Sequence, residues 1–537
     1  MTSRALVAAG MTLLPALTLA LSGCDGSISL GNPGVPGGAT APLTAAEVTS
    51  IISAAAASLS QDTLVIAVVD RDGNILGLFR KTNAPENVNV FLAGQTRTVN
   101  ANEFAVSLAR TGAFFGNDQS PLTSRTIRFI SREHFPVTFR PNGATAGIQN
   151  TPSGDLWNIE STNRGCALSA DFNPGMEIIP AMNIDRTGPS LGVATVPGGI
   201  PLYKFGKAVG GIGVCGAVGL DHESTANLNE FAAFAGSFGN GFGTVPLEPG
   251  EIFLFSVRLP IIDQTTRPFG TVADLRPLDQ MGSFVPVPSL ADPTQLIAGT
   301  QDSLRANVPE GWLVGPKSSP ELDASEVVAI TLQAVRGANK TRAAIRLPLA
   351  STARMVIAVG GLDGEILGLY RMPDATVFSI DVAATKARNV VYFSGFERQS
   401  VDLPEVPYGT AITNRTLRFG SQPYFPPGIE TTPPGPFFPL MVHNLANPCT
   451  QGFGPPGPNQ SGIVFFPGSA PLYRGGLLLV GGLGVSGDGV DQDDQVTVFG
   501  LRGYEAADFI RADRVTVRDV VLPYIKFPRS SRVGFGG

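Results

Sequence analysis

The stretch that decides the fold is Val65-Ile66-Ala67-Val68-Val69-Asp70-Arg71-Asp72-Gly73-Asn74-Ile75-Leu76-Gly77-Leu78-Phe79-Arg80. It reads as two β-branched, apolar strands around Asp72-Gly73, a strong hairpin-turn dipeptide. The same phrase returns as Val356-Ile357-Ala358-Val359-Gly360-Gly361-Leu362-Asp363-Gly364-Glu365-Ile366-Leu367-Gly368-Leu369-Tyr370-Arg371, and 11 of 16 positions agree. Further pairs follow in the same order. Thr123 to Phe129 matches Thr413 to Phe419, and Pro197 to Tyr203 matches Pro467 to Tyr473. Val209 to Gly216 matches Val480 to Gly487. Collinear matches of this kind mark a tandem duplication, placed at 43–262 and 321–537 with a Pro-punctuated linker over 263–320.

Each half repeats one plan. Thr44 with Glu47, and Asp323 with Glu326, have the spacing of helix capping boxes. A hairpin follows, then a second helix; Ile380, Ala383, Ala384, Ala387 and Val391 share one helical face, a part played by Phe104, Leu108 and Phe115 in the first half. Strands are expected at Arg125–Ile130, Leu202–Lys204 and Ala208–Val214, with partners in the second half, before a C-terminal helix. Antiparallel pairing with helices packed on the sheet defines an α+β fold. Two long insertions, about 131–196 and 420–466, are rich in Pro and Gly. Pro426-Pro427-Gly428 and Thr432 to Pro439 are expected to be irregular, and their aromatics, with Trp157 in the first half, to pack as a lid.

Composition narrows the function. The chain has 537 residues, 38 Lys+Arg against 44 Asp+Glu and a net charge of -6, which argues against nucleic acid as a partner. Hydrophobic residues make up 43% and charged residues 15%, ample for a core. The 64 Gly and 44 Pro imply a turn-rich protein. Residues 1–23 carry a single Arg and an apolar run too short to span a membrane comfortably. With Leu21-Ser22-Gly23-Cys24 they resemble a bacterial lipoprotein signal peptide, Cys24 being the lipidated residue. Residues 24–42 read as a flexible tether. The expected location is the cell envelope, facing the periplasm or the exterior, with the membrane held through Cys24.

Three blocks together resemble the GlcG/HbpS-like family: the Val-Val-Asp-x-x-Gly hairpin ending in Arg80, the helix Ala383-Ala384-Thr385-Lys386-Ala387-Arg388, and Pro-Gly-Gly-x-Pro followed by Gly211 to Gly216. The resemblance implies two tandem profilin-like domains, each a five-stranded antiparallel sheet with flanking helices. It implies ring-like oligomers, or a fused pair acting as a pseudo-dimer, and haem as a cofactor for some members. The two halves differ: Asp70 becomes Gly361, and Lys386-Ala387-Arg388 is Leu108-Ala109-Arg110 in the first half.

Candidate ligand-binding residues follow. His134 and Tyr424 occupy corresponding places, and both residue types can ligate haem iron; His222 follows the glycine strand. Each His also reads as an ordinary loop residue. Arg80, Arg371 and Lys386 could hold carboxylates, or serve internal pairing. Gly211 to Gly216 spells G-x-G-x-x-G, but an antiparallel context favours close packing over dinucleotide binding. The carboxylates of Asp488 to Asp494 read as a solvated helix start rather than a Ca²⁺ loop. Cys166 and Cys449 either stay apart or join the halves. The leading expectation is a non-enzymatic, lipid-anchored binding protein for haem or a similar flat molecule. The alternatives are a structural or assembly surface lipoprotein, and an accessory protein to small hydroxy-acid or diol metabolism.

Overall fold

The computed structural model describes residues 41–526 except 93–94, 140–144, 167–182, 186–187, 244–251, 291, 293 and 304–307. Cys24, the expected signal peptide and most of the expected tether lie outside them. The duplicated plan folds twice into a five-stranded antiparallel sheet. The first sheet runs in the order Gly282–Phe284, Ile75–Lys81, Val65–Asp70, Lys207–Cys215, Gly199–Lys204. The second repeats it as Gly311–Val314, Ile366–Arg371, Val356–Gly360, Leu478–Ser486, Ser469–Arg474.

One edge strand of each sheet comes from 263–320, the stretch expected to be a linker. Gly282–Phe284 pairs with Lys81 to Phe79, and Gly311–Val314 with Arg371 to Leu369. The correction has a physical cause: an outer strand of three or four residues satisfies an exposed edge without showing a hydrophobic alternation long enough to read.

The central strands are buried on both faces, which explains their nearly continuous apolar sequence. Val65, Ala67 and Val69 face the helix Ala101–Phe115, while Ile66 and Val68 pack with Ile51, Ile52 and Leu228 from the helices Ala45–Ala57 and His222–Phe238. Both anticipated capping boxes form, at Thr44 and Asp323. The glycine strand lets the second helix lie directly on the sheet. A Cβ at Gly213 would collide with the Ala105 carbonyl, and one at Gly484 with that of Ala383.

Two local expectations fail. Ser124–Ile130 and Asn414–Gly420 are helices, not strands, each started by a Thr-x-x-Thr capping box at Thr123 or Thr413. Arg125, Ile127 and Phe129 mimic a strand alternation, but the caps satisfy helical N–H groups. The second insertion is also less irregular than expected, since Phe438–Ala446 forms a helix with Pro in its first turn, where its missing N–H is harmless.

The halves pack through a shared apolar core. Phe115 stacks on Phe378 with centroids 4.1 Å apart, and Trp157 meets Phe465 edge-on at 6.2 Å. Arg418 donates to the carbonyls of Ser153, Gly154 and Asp155. Cys166 and Cys449 form a disulfide between the halves, with Cα atoms 5.3 Å apart. The insertion aromatics thus serve the seam between the halves as well as covering one of them.

Candidate functional site

The sequence candidates do not converge. His134 and Tyr424 come together, their rings stacked with centroids 6.0 Å apart and planes at 17°. Both nitrogens of His134 are engaged: Nδ1 lies 2.8 Å from the Thr151 carbonyl and Nε2 3.1 Å from Glu430 Oε1. As folded, this pair is a contact between halves with no nitrogen turned to a ligand. His222 is the exposed first residue of its helix. Arg80 donates to Asn102 Oδ1 and to the carbonyls of Ala84 and Pro85.

Arg371 and Lys386 are turned inward. Arg371 is buried and donates to the carbonyls of Ala375 and Val308. Lys386 Nζ, fully buried, donates to the Val485 carbonyl at 2.8 Å and pairs with Asp493 at 3.0 Å. Burial lowers the pKa of Lys386 and raises that of Asp493 to about 7. The acidic run is therefore not a solvated helix start. Asp488, Asp493 and Asp494 are buried; Asp494 and Asp491 hold Arg415 at 2.6 and 3.0 Å, and Asp488 accepts the Ala344 N–H. Among the described residues no group of three or more His, Cys, Asp or Glu is placed to hold a metal ion.

The structure instead opens a cavity of about 1200 Å³ in the second half, with all its lining residues between Leu362 and Ile510. Its walls are the hairpin turn at Gly364, the C-terminal end of the helix Phe378–Ser394, the start of the 395–413 connection, the 451–460 part of the second insertion, and Leu477 to Leu479. Its volume lies somewhat above the range of ordinary ligand sites, about 300–1,000 Å³. Arg388 reaches the hairpin turn, with Nε 2.8 Å from the Gly364 carbonyl, and burial pulls its pKa down to about 10. Tyr392 donates to Asp402 at 2.8 Å, and Tyr408 donates to the Arg398 carbonyl while its ring lies under that guanidinium at 4.4 Å.

The first half builds the same frame. Arg110, the counterpart of Arg388, donates through Nε to the Gly73 carbonyl at 3.1 Å. Tyr203, the counterpart of Tyr473, donates to the Asn117 carbonyl at 2.9 Å. The connection there is short, 116–123, and the second half closes it: Arg346 bonds Asn117, Gln119 and Asp374, and the Val377 N–H bonds the Phe114 carbonyl. Arg71 is also buried. In the second half the connection is longer, running over 395–413, and Phe396, Gln399 and Tyr408 from it line the cavity. Sequence reading missed this site. The extra length between the helix and Thr413, absent before Thr123, was the available signal.

The cavity suits the body of haem better than its iron. Its lining includes no His, Cys or Met, and Tyr is the one residue type there that ligates haem iron. The hydroxyls of Tyr392 and Tyr408 are committed to the bonds above. Burial pushes the Tyr473 pKa up to about 12.

Residues 333–502, the segment that holds nearly all of this cavity, match the family described as haem degrading protein HbpS-like. This match agrees with the resemblance drawn from the residues. Among solved structures, a PduOC–haem complex is 22% identical, covering 35% of this chain and 96% of its own, with a TM-score of 0.23. The Klebsiella pneumoniae protein ORFY is 16% identical over 36% of this chain and 96% of its own, with a TM-score of 0.23. A double mutant of Streptomyces reticuli HbpS is 19% identical over 42% of this chain and 98% of its own, with a TM-score of 0.18. No curated protein matches the chain.

Proposed function

We propose that the chain is an extracytoplasmic, lipid-anchored binding protein of two tandem profilin-like domains, in which the second domain holds haem or a similarly flat small molecule and the first braces it. The observation that carries this reading is the large cavity inside the segment that matches a haem-associated family. The repeated strand order supports the tandem reading. The Cys166–Cys449 disulfide supports an oxidising compartment, as Cys24 supports anchorage. The reading is binding rather than turnover. A fused pair of this kind meets within one chain the pairing that single-domain relatives would need a second chain to make.

Haemin titration tests it, followed by the Soret band and by quenching of the two tryptophans. The blocking variant is Gly454→Trp: a Cβ there meets nothing closer than 3.6 Å, so the added ring grows into the cavity. The expected result is saturable binding that Gly454→Trp abolishes and that His134→Ala and Tyr424→Phe leave intact. Loss in either of those two would place the ligand at the ring stack. No saturation beyond that of an unrelated control protein would remove haem from the reading.

A further inference from the structure

The cavity is chemically uneven. Much of its wall is apolar, with Val391, Phe396, Leu477, Leu479 and Ile510. Three of its lining residues carry a buried polar atom without a hydrogen-bond partner: Tyr473 Oη, Gln451 Nε2 and Gln460 Oε1. Tyr473 is 3% exposed and Gln451 5%. Native folds keep few orphans of this kind, because the atom has given up its water without gaining a partner. Ser394 lies beside Tyr473; its hydroxyl donates to the Ile412 carbonyl and accepts the Ile412 N–H. The counterpart Tyr203 is satisfied by a carbonyl, so the repeat can pair this hydroxyl and in the second half does not.

We propose that Tyr473, Gln451 and Gln460 are the polar edge of the ligand site, and that they take the carboxylate edge of a flat, otherwise apolar acid that is held by this edge and by ring contacts rather than through a metal. The inference rests on the binding reading above and names its ligand class. Tyr473 Oη–H and the Gln451 amide N–H are donors, and donors buried in an apolar wall favour an anionic oxygen, whose hydrogen bonds are charge-assisted. The Arg388 guanidinium on the same wall supplies the matching charge. Gln460 Oε1 is an acceptor and suits a ring N–H or a hydroxyl of the same molecule. Of the acidic lining residues, Asp363 accepts the Glu365 N–H at 3.0 Å within its own turn, and Glu397 is exposed. Two of the three lining phenols are already bonded, and the third, Tyr473, is the donor assigned to the carboxylate.

The test titrates the purified full chain with haemin, protoporphyrin IX and protoporphyrin IX dimethyl ester, read by tryptophan quenching. The two acids are expected to bind within about threefold of each other, and the ester at least about tenfold more weakly, the scale of one lost charge-assisted hydrogen bond. Tyr473→Phe and Gln451→Leu should each lose about tenfold for the acids and leave the ester unchanged. The comparison of acid with ester in the unmodified protein stands even if a variant fails to fold. Equal affinity for acid and ester overturns the inference and leaves the haem reading intact, as does haemin binding where protoporphyrin IX does not bind. Failure of both acids to bind overturns the haem reading and the inference with it.

Discussion

His134 and Tyr424, corresponding residues of the two repeats, stack on each other at 6.0 Å. A residue meets its own counterpart only near the axis that relates two copies, so this stack marks the local two-fold seam of the fused pair. Asn150 and Glu430 reinforce it by exchanging hydrogen bonds. His134→Ala is therefore expected to lower unfolding stability by about 1 kcal/mol, the usual worth of an aromatic pair, as measured by urea unfolding. A loss of haemin affinity without loss of stability would contradict the structural role.

The Cys166–Cys449 bond closes a loop of 283 residues in sequence. Cross-links across long separations restrict the unfolded chain most, and removing a native one costs about 2–4 kcal/mol. Cys166→Ser should lower the unfolding free energy by that amount, read as a lower urea midpoint, and reductant should bring the unmodified protein to the same midpoint. A midpoint indifferent to reductant would show that the bond contributes no stability.

Asp381 is buried at the seam, where its Oδ2 accepts the Asn163 N–H at 2.8 Å. Burial raises its pKa to about 6 from an ordinary value of 3.8. The folded state thus holds this proton more tightly than the unfolded state. The contribution to stability is complete below pH 3.8 and is lost as pH rises through about 6. The difference is at most about 3 kcal/mol. Asp381→Asn keeps an acceptor oxygen and removes the charge. It should raise the melting temperature at pH 8 relative to the unmodified chain and change little at pH 4. The same gain at both pH values would separate the effect from titration.

Gly484 lies under the helix Phe378–Ser394, where a Cβ would strike the Ala383 carbonyl. Helix and strand would have to part along a packed seam, at a cost of about 1–3 kcal/mol or more. Gly484→Ala should lower the melting temperature by several degrees or abolish soluble expression. Gly315→Ala, with nothing within 4 Å of the added carbon, serves as the control and should be neutral.

The sequence by itself determined the duplication, the Asp72-Gly73 and Asp363-Gly364 hairpins, the capping boxes at Thr44 and Asp323, and the use of Gly213 and Gly484 as packing glycines. These are signals of short range: a turn dipeptide, a cap three residues from its partner, a strand apolar on both faces. Tertiary structure decided the rest. The edge strands Gly282–Phe284 and Gly311–Val314 exist because a neighbouring strand offers unpaired N–H and C=O groups. Lys386 and the acidic run read as surface chemistry and became interior pairs, because burial depends on what packs against them. The cavity depends on two distant events. Arg346 of the second half bonds Asn117 in the short connection of the first, while the longer 395–413 connection lines the cavity beside Tyr473. Whether a hydroxyl finds a carbonyl or is left without one is settled by contacts far apart in the chain, and no local pattern encodes them.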